Sequence, residues 1–196
     1  MDNLKYEIEN YLISNSNKIK INSRDIKEGD VFFALEGSKT HGNKYISNAL
    51  NKGTKYVVTD KKLDKNLSKK ILNVKNSFDF LKKVATKKRN QFGGKVIAIT
   101  GSVGKTSIKE FLKFFLSSEG MISASIKSYN NYLGVLISLI NMDKDSIFSI
   151  FEVGTNNFNE IKKLSSLIRP QQVIISNIYP THLQSFGNTR NIAIEK

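Results

Sequence analysis

The residues most able to do chemistry form one run, Thr100-Gly101-Ser102-Val103-Gly104-Lys105-Thr106-Ser107. It follows an apolar stretch that reads as a strand and precedes a stretch that reads as a helix, which is the context a phosphate-binding loop requires. Glycines allow the backbone to approach a ligand closely, and amide N–H groups with the positive end of the helix then surround phosphate oxygens. In that reading Gly101 to Ser107 cradle a nucleotide phosphate, Lys105 neutralises its charge and the Thr106 hydroxyl ligates magnesium. The plainer alternative is an ordinary strand-to-helix turn that happens to contain Gly, Lys and Thr. The loop also departs from the general GxxxxGKT pattern, with Ile99 at the position of the first glycine.

Ligands of an open parallel sheet sit beyond the carboxyl ends of its strands, so the residues following each strand come next. Here they are Lys127-Ser128-Tyr129-Asn130-Asn131, then Glu152-Val153-Gly154-Thr155-Asn156, then Asn177 with Thr181-His182. Glu152 lies within an apolar strand, where an unpaired carboxylate is costly to bury. A magnesium ion shared with ATP phosphates would satisfy it, with His182 as a further ligand; a structural salt bridge to one of the many lysines would also do so. His182 alone reads equally as a partly exposed loop histidine, and Asn130-Asn131 as a cap for the following helix.

The elements that must position these groups follow from periodicity. Leu4, Ile8, Tyr11 and Leu12 predict a helix over residues 2–13, with Asp2 as its cap. Val31–Leu35 and Tyr56–Thr59 read as strands, Tyr45–Asn51 as a helix ended by Gly53, and Phe78, Leu81, Val84 and Ala85 as another helix. That helix runs into Lys87-Lys88-Arg89 and then Phe92-Gly93-Gly94, a charged end followed by paired glycines, which places a linker and a domain boundary near Gly93. Beyond it strands over 96–100, 121–125, 147–153 and 173–177 alternate with helices over 106–118, 132–140 and 157–167. The expectation is an α/β protein: a small α/β domain over residues 1–92, and a P-loop domain with a parallel sheet over residues 95–196.

A chain of 196 residues with 39% hydrophobic residues can bury a core in each of two small domains. Its net charge of +14 raises nucleic acid as a partner. The excess is almost all lysine, accompanied by abundant Asn and Ile, and forms no stripe with aromatics, so no nucleic-acid binding is expected. The absence of cysteine excludes disulfides, thiolate metal sites and a Cys nucleophile. No signal peptide and no membrane-spanning stretch is legible, so the expectation is a cytoplasmic protein without membrane insertion.

These motifs resemble the Mur ligases across nearly the whole chain. Thr100–Ser107 is similar to that family's TGxxGKT loop, Phe151–Asn156 to its strand bearing a magnesium-binding glutamate, and Thr181-His182-Leu183 with Phe186-Gly187 to its magnesium-binding histidine segment. The family carries a carbamylated lysine a fixed distance beyond that histidine, and the spacing falls on Lys196. Ser23-Arg24, Gly29-Asp30-Val31-Phe32-Phe33-Ala34-Leu35, Gly37 and His41-Gly42 resemble the first domain of the members acting third and fourth on the nucleotide-linked muramyl peptide, although Asn22 stands where Asp is usual.

The resemblance implies Ser23 and Arg24 as substrate-binding residues in a domain that holds the UDP end of the substrate. It implies Lys105, Glu152, His182 and Lys196 as catalytic residues, with Thr106, Glu152, His182 and Lys196 as metal ligands, and ATP and Mg2+ as cofactors. Tyr129-Asn130-Asn131 with Gly134-Val135, and Glu152–Asn156 with Glu160-Ile161, resemble the members that join D-Ala-D-Ala to UDP-MurNAc-tripeptide, with Asn130 and Asn131 toward substrate. The alternatives are a member adding the third amino acid, which typically has paired threonines at 130–131, a folylpolyglutamate-synthase-like relative, and a non-catalytic nucleotide-binding remnant. A full member continues into a further domain, so the expectation is a truncated piece, inactive or weakly active alone, whose partner is a separate chain carrying the remainder.

Overall fold

The computed structural model describes residues 2–37, 40–63, 69–126 and 129–196. Lys127 and Ser128, named above in the loop after a strand, lie outside the described residues. The chain divides into two compact units, Met1–Lys87 and Lys88–Lys196.

The first unit opens with helix α1 (Asp2–Ser14), on which Ile8 and Leu12, four residues apart, are fully buried. Strands β1 (Ile19–Lys20), β2 (Val31–Phe33), β3 (Tyr56–Thr59) and β4 (Ile71–Asn73) then form a sheet in that order, every pair parallel. Helix α2 (Ile46–Asn51) follows a 3-10 turn over Gly42–Tyr45. Phe32, Ala34 and Val57 pack with Ile26, Ile46 and Ala49. Each fully buried aliphatic or aromatic side chain contributes about 1.5–3 kcal/mol relative to its exposed state. The sequence predicted only the two strands with four or more β-favouring residues. β1 and β4, two and three residues long, are too short for an alternation to register.

The second unit is built on strands β5 (Lys95–Thr100), β6 (Ile122–Ala124), β7 (Phe148–Glu152) and β8 (Gln172–Ile175). Between and after them run helices α4 (Lys105–Leu116), α5 (Tyr132–Asn141), α6 (Glu160–Ile168), α7 (Leu183–Phe186) and α8 (Thr189–Glu195). The sheet order is β6-β7-β5-β8, all parallel, so β5 lies between β7 and β8. Ile97, Ile99 and Ile150 meet Ile108, Leu112 and Leu116 of α4, a stripe at four-residue spacing. Helix α5 is apolar nearly all round and buried from Gly134 to Asn141. Among the described residues no helix is long and apolar enough to cross a membrane.

The basic run Lys87–Arg89 is not a solvated helix end. It lies within helix α3 (Ser77–Gln91), and Lys88 and Arg89 are 3% and 7% exposed. Arg89 donates from Nε to the Ile168 carbonyl at 2.5 Å and from Nη2 to the Arg169 carbonyl at 2.7 Å, closing the carboxyl end of α6 where backbone acceptors lack helical partners. Burial pushes the Lys88 ammonium down to about 8, against the pull of Asp143.

Within the first unit, the Glu9 side chain is 3% exposed and accepts from Lys83 Nζ at 2.6 Å and from Lys87 Nζ. Burial raises its pKa, but the hydrogen bonds and charges of the two lysines outweigh that and hold it below the ordinary 4.5. A depressed carboxyl contributes stability that is complete above the ordinary value and is lost as pH falls through the folded one. Glu9→Gln is expected to cost about 1–2 kcal/mol at neutral pH, the lysine ends being half exposed, and to flatten the acid limb of stability. Urea unfolding of both proteins across pH 3–7, a window bracketing the carboxylate range by about 1–3 units, checks this.

Candidate functional site

The site is assembled at the carboxyl ends of β5, β7 and β8. Where β5 ends, Gly101 adopts φ +136° and Gly104 φ +83°, conformations that side chains rarely take. Gly101 is further constrained by space, since a Cβ there would lie 1.9 Å from Ser176 Oγ. No alanine fits without moving the segment after β8.

That segment grips the loop. The Ser102 amide donates to the Asn177 carbonyl at 3.0 Å and the Val103 amide to Asn177 Oδ1 at 3.0 Å. Ser176 Oγ and Asn177 Nδ2 in turn donate to the Val103 carbonyl, at 2.7 and 3.0 Å. Ser102 Oγ donates to the Tyr179 carbonyl at 3.1 Å and receives the Tyr179 amide at 2.9 Å. Two loop amides are therefore consumed in fixing the loop's shape. The amides of Lys105, Thr106 and Ser107 open α4, where the first turn has no intrahelical acceptors.

Lys105 Nζ folds back on the loop, donating to the carbonyls of Gly101 at 2.8 Å and Ser102 at 3.2 Å. Lys196, ninety-five residues beyond Gly101, donates to the same Gly101 carbonyl at 2.9 Å. Burial, and then the neighbouring charge of Lys105, lower the Lys196 pKa from its ordinary value, with Glu195 opposing. Lys196 thus favours the neutral amine more than a surface lysine does.

Glu152, at the end of β7, is 2% exposed. Its Oε2 accepts from Thr106 Oγ1 at 2.7 Å and its Oε1 from Asn130 Nδ2 at 2.8 Å. No ion pair to Glu152 occurs among the described residues, so a lysine salt bridge is not what satisfies it. The asparagine pair divides its work: Asn131 Oδ1 caps α5 by accepting the Gly134 amide at 2.8 Å, while Asn130 reaches across to Glu152. The Asn130 carbonyl also receives the Gly154 amide at 2.9 Å.

His182 takes a left-handed conformation ahead of α7; its exposed side chain makes no hydrogen bond among the described residues, although Thr181 Oγ1 lies 3.3 Å from Ser102 Oγ. Among the described residues no three His, Asp or Glu side chains converge as a ready metal cluster. In the first unit, Ser23 is buried and Arg24 exposed, within a 3-10 turn capped by Asn22. Lys52 Nζ donates to both their carbonyls, at 3.0 and 2.9 Å.

Three supporting residues carried no sequence signal. Lys109 reads as a surface lysine on α4, yet it is fully buried and donates to the Ser125 carbonyl at 2.9 Å. Ser125 Oγ accepts the Glu152 amide at 3.2 Å, so α4 and the end of β6 brace the carboxylate's backbone. Glu195 accepts amide hydrogen bonds from residues 34 or more positions away.

Comparison with known proteins adds an independent measure. Residues 99–196 match the Mur ligase middle domain, and residues 16–92 match the domain described as Mur ligase family, catalytic domain. The chain is 43% identical, over 98% of its length, to the UDP-N-acetylmuramoyl-tripeptide--D-alanyl-D-alanine ligase of Rickettsia prowazekii, and 29% identical, over 91% of its length, to that of Escherichia coli. It spans only 42% and 39% of those relatives. Among solved structures it is similar to MurF from Acinetobacter baumannii, with a TM-score of 0.79 and 30% identity over 91% of this chain and 39% of that one. It is similar also to the MurF ligase from Thermotoga maritima in complex with ADP, with a TM-score of 0.77 and 29% identity over 94% of this chain and 42% of that one. The middle-domain match alone takes in half of the 196 residues, and its loop, glutamate strand and Lys196 segment carry the resemblance read from sequence: the chain belongs to the Mur ligase family.

Proposed function

We propose that this chain supplies the nucleotide-phosphate site and the UDP-sugar-binding domain of an ATP-dependent ligase that joins D-Ala-D-Ala to UDP-MurNAc-tripeptide. The observation that carries it is the contact between Thr106 on the loop and the buried Glu152, in a chain similar over 98% of its length to a ligase of that name. In the reaction the terminal carboxylate of the tripeptide takes the γ-phosphoryl group of ATP, and the dipeptide amine displaces phosphate to form the amide. Residues 1–92 hold the UDP end and residues 95–196 the nucleotide.

The donor set fits magnesium. Thr106 Oγ1 and Glu152 Oε2 are oxygens 2.7 Å apart beside a phosphate loop, and hard cations prefer oxygen. Magnesium held by these two neutralises phosphate charge when bound; His182 and a carbamate on Lys196 are the proposed further ligands. The remaining work belongs to the chain's own groups. The first-turn amides of α4 orient the phosphates, and the Lys105 ammonium, carried on a flexible stem, exchanges the loop carbonyls for phosphate oxygens. The lowered pKa of Lys196 supports the carbamate assignment, because the neutral amine is the form that takes up carbon dioxide. Asn130 holds Glu152 with one oxygen turned to Thr106, as outer-shell partners hold metal-ligating carboxylates.

Three outcomes are expected. Lys105→Met weakens Mg-ADP binding, measured by calorimetry, by about 10- to 100-fold, the worth of a hydrogen bond to a charged group. Asn130→Ala leaves the fold intact but raises the magnesium concentration needed for nucleotide binding by about 10- to 100-fold. Wild-type chain incubated with Mg-ATP, UDP-MurNAc-tripeptide and D-Ala-D-Ala, alone and with a polypeptide supplying the portion of the relatives it does not span, is expected to give a nucleotide product heavier by the dipeptide in the supplemented reaction. A chain that binds neither Mg-ADP nor the UDP-linked tripeptide sinks the proposal.

A further inference from the structure

Helix α6 begins without a side-chain cap of its own: Asn159 precedes it at φ +67° and its side chain bonds no helix amide. Two carboxylates take up the amides of the segment ahead of it and of its first turn. Glu160 turns back to the amides of Asn156 and Asn157, at 2.6 and 3.2 Å. Glu195, in the last turn of α8, accepts the Asn159 amide at 2.7 Å and the Ile161 amide at 2.9 Å, and lies 3.2 Å from the Thr155 hydroxyl, whose single proton has the Asn157 carbonyl nearer at 2.8 Å and Glu160 at 3.3 Å. An anion in that place is favoured by the orphan amides and by the positive end of the helix. The next residue is Lys196, which reaches the opposite way to the Gly101 carbonyl. Thr155 is three residues beyond Glu152 on the loop leaving β7.

We infer that Glu195 is a positioning residue: by fastening the last turn of α8 to the start of α6 and to the loop after Glu152, it sets Lys196 against the phosphate loop. The purpose of that placement rests on the nucleotide-site reading above; the linkage itself does not. Two amide hydrogen bonds on one carboxylate restrain α8 beside Lys196, and a lysine stem starting from a fixed Cα has far fewer conformations in which to miss Gly101. Without Glu195 the final turn of α8 loses its side-chain hydrogen bonds to the amides at the start of α6.

The test separates positioning from simple capping of α6. Lys196 in the full chain is acylated at one fixed pH with an amine-reactive reagent and quantified by mass spectrometry, in wild type, Glu195→Gln, Glu195→Ala and Glu160→Gln. Glu195→Ala is expected to raise Lys196 labelling several-fold and Glu195→Gln less, because an amide oxygen still accepts. Glu160→Gln loosens the same helix start without touching α8, so it is expected to lower thermal stability and leave Lys196 labelling at the wild-type level. Unchanged labelling in Glu195→Ala, or an equal rise in Glu160→Gln, overturns the inference and leaves Glu195 a helix cap.

Should Glu195→Ala prove unfolded, Glu195→Gln carries the same comparison. Mg-ADP affinity is then measured for Glu195→Gln, Lys196→Met and the double variant. If Glu195 acts on nucleotide through Lys196, its substitution adds less than about twofold in the Lys196→Met background; independent, additive losses overturn the link to the nucleotide. A wild type that binds no Mg-ADP while Glu195→Ala still exposes Lys196 refutes the nucleotide reading and upholds the linkage.

Discussion

A carboxylate at the end of a central strand cannot be left without partners, and the geometry of the second unit turns on how Glu152 is satisfied. Burying a charge without compensation costs several kcal/mol after relaxation, on the order of half a domain's net stability. Here both oxygens are taken, one by Thr106 from the first turn of α4 and the other by Asn130 from the loop ahead of α5. The backbone amide of Glu152 is held as well, by Ser125, whose carbonyl is pinned by the buried Lys109. Three successive strand-to-helix connections are thereby tied to one side chain. A change in what Glu152 binds is felt by the phosphate loop and by the entry to α5 together.

How much of this could be read from the sequence depended on range. The phosphate loop was legible because its signal is local: glycines, a lysine and a threonine between a strand pattern and a helix pattern. The alternation of β5 through β8 with their helices was legible for the same reason, since a buried parallel strand writes its apolar run within a few residues. Asn131 as cap and Asn130 as partner of Glu152 could not be separated in the sequence, because two adjacent asparagines before a helix satisfy either description. The structure assigns one role to each.

What the sequence left unread shares a cause. The burial of Lys88 and Arg89 has no local signal, because the carbonyls that Arg89 serves lie at the carboxyl end of α6, almost eighty residues away. Lys109 looks exposed because a lysine on an amphipathic helix ordinarily reaches solvent, and only the placement of Ser125 shows why its ammonium is inside. Glu195 has no local pattern at all; its partners are the amides of a helix that begins thirty-five residues earlier. Long polar side chains that satisfy backbone groups at distant helix ends are invisible to periodicity, since the backbone they serve carries no residue-specific signature.

The loop itself divides its donors into fixed and movable ones, and this division explains why both lysines rest on Gly101. The amides of Ser102 and Val103 are spent on Asn177, which locks the curve of the loop before any ligand arrives. The amides opening α4 are held in place by the helix and need no rearrangement to meet an anion, the property that makes oriented backbone dipoles effective. Lys105 and Lys196 are different: each has a long stem, and a carbonyl with two lone pairs can accept from both. Burial and the neighbouring charge of Lys105 lower the Lys196 pKa, and Glu195 opposes them only in part. The loop's curve is therefore fixed by Asn177 and by the opening of α4, while its two lysines, held through long stems on carbonyls they can leave, are the groups able to change partners.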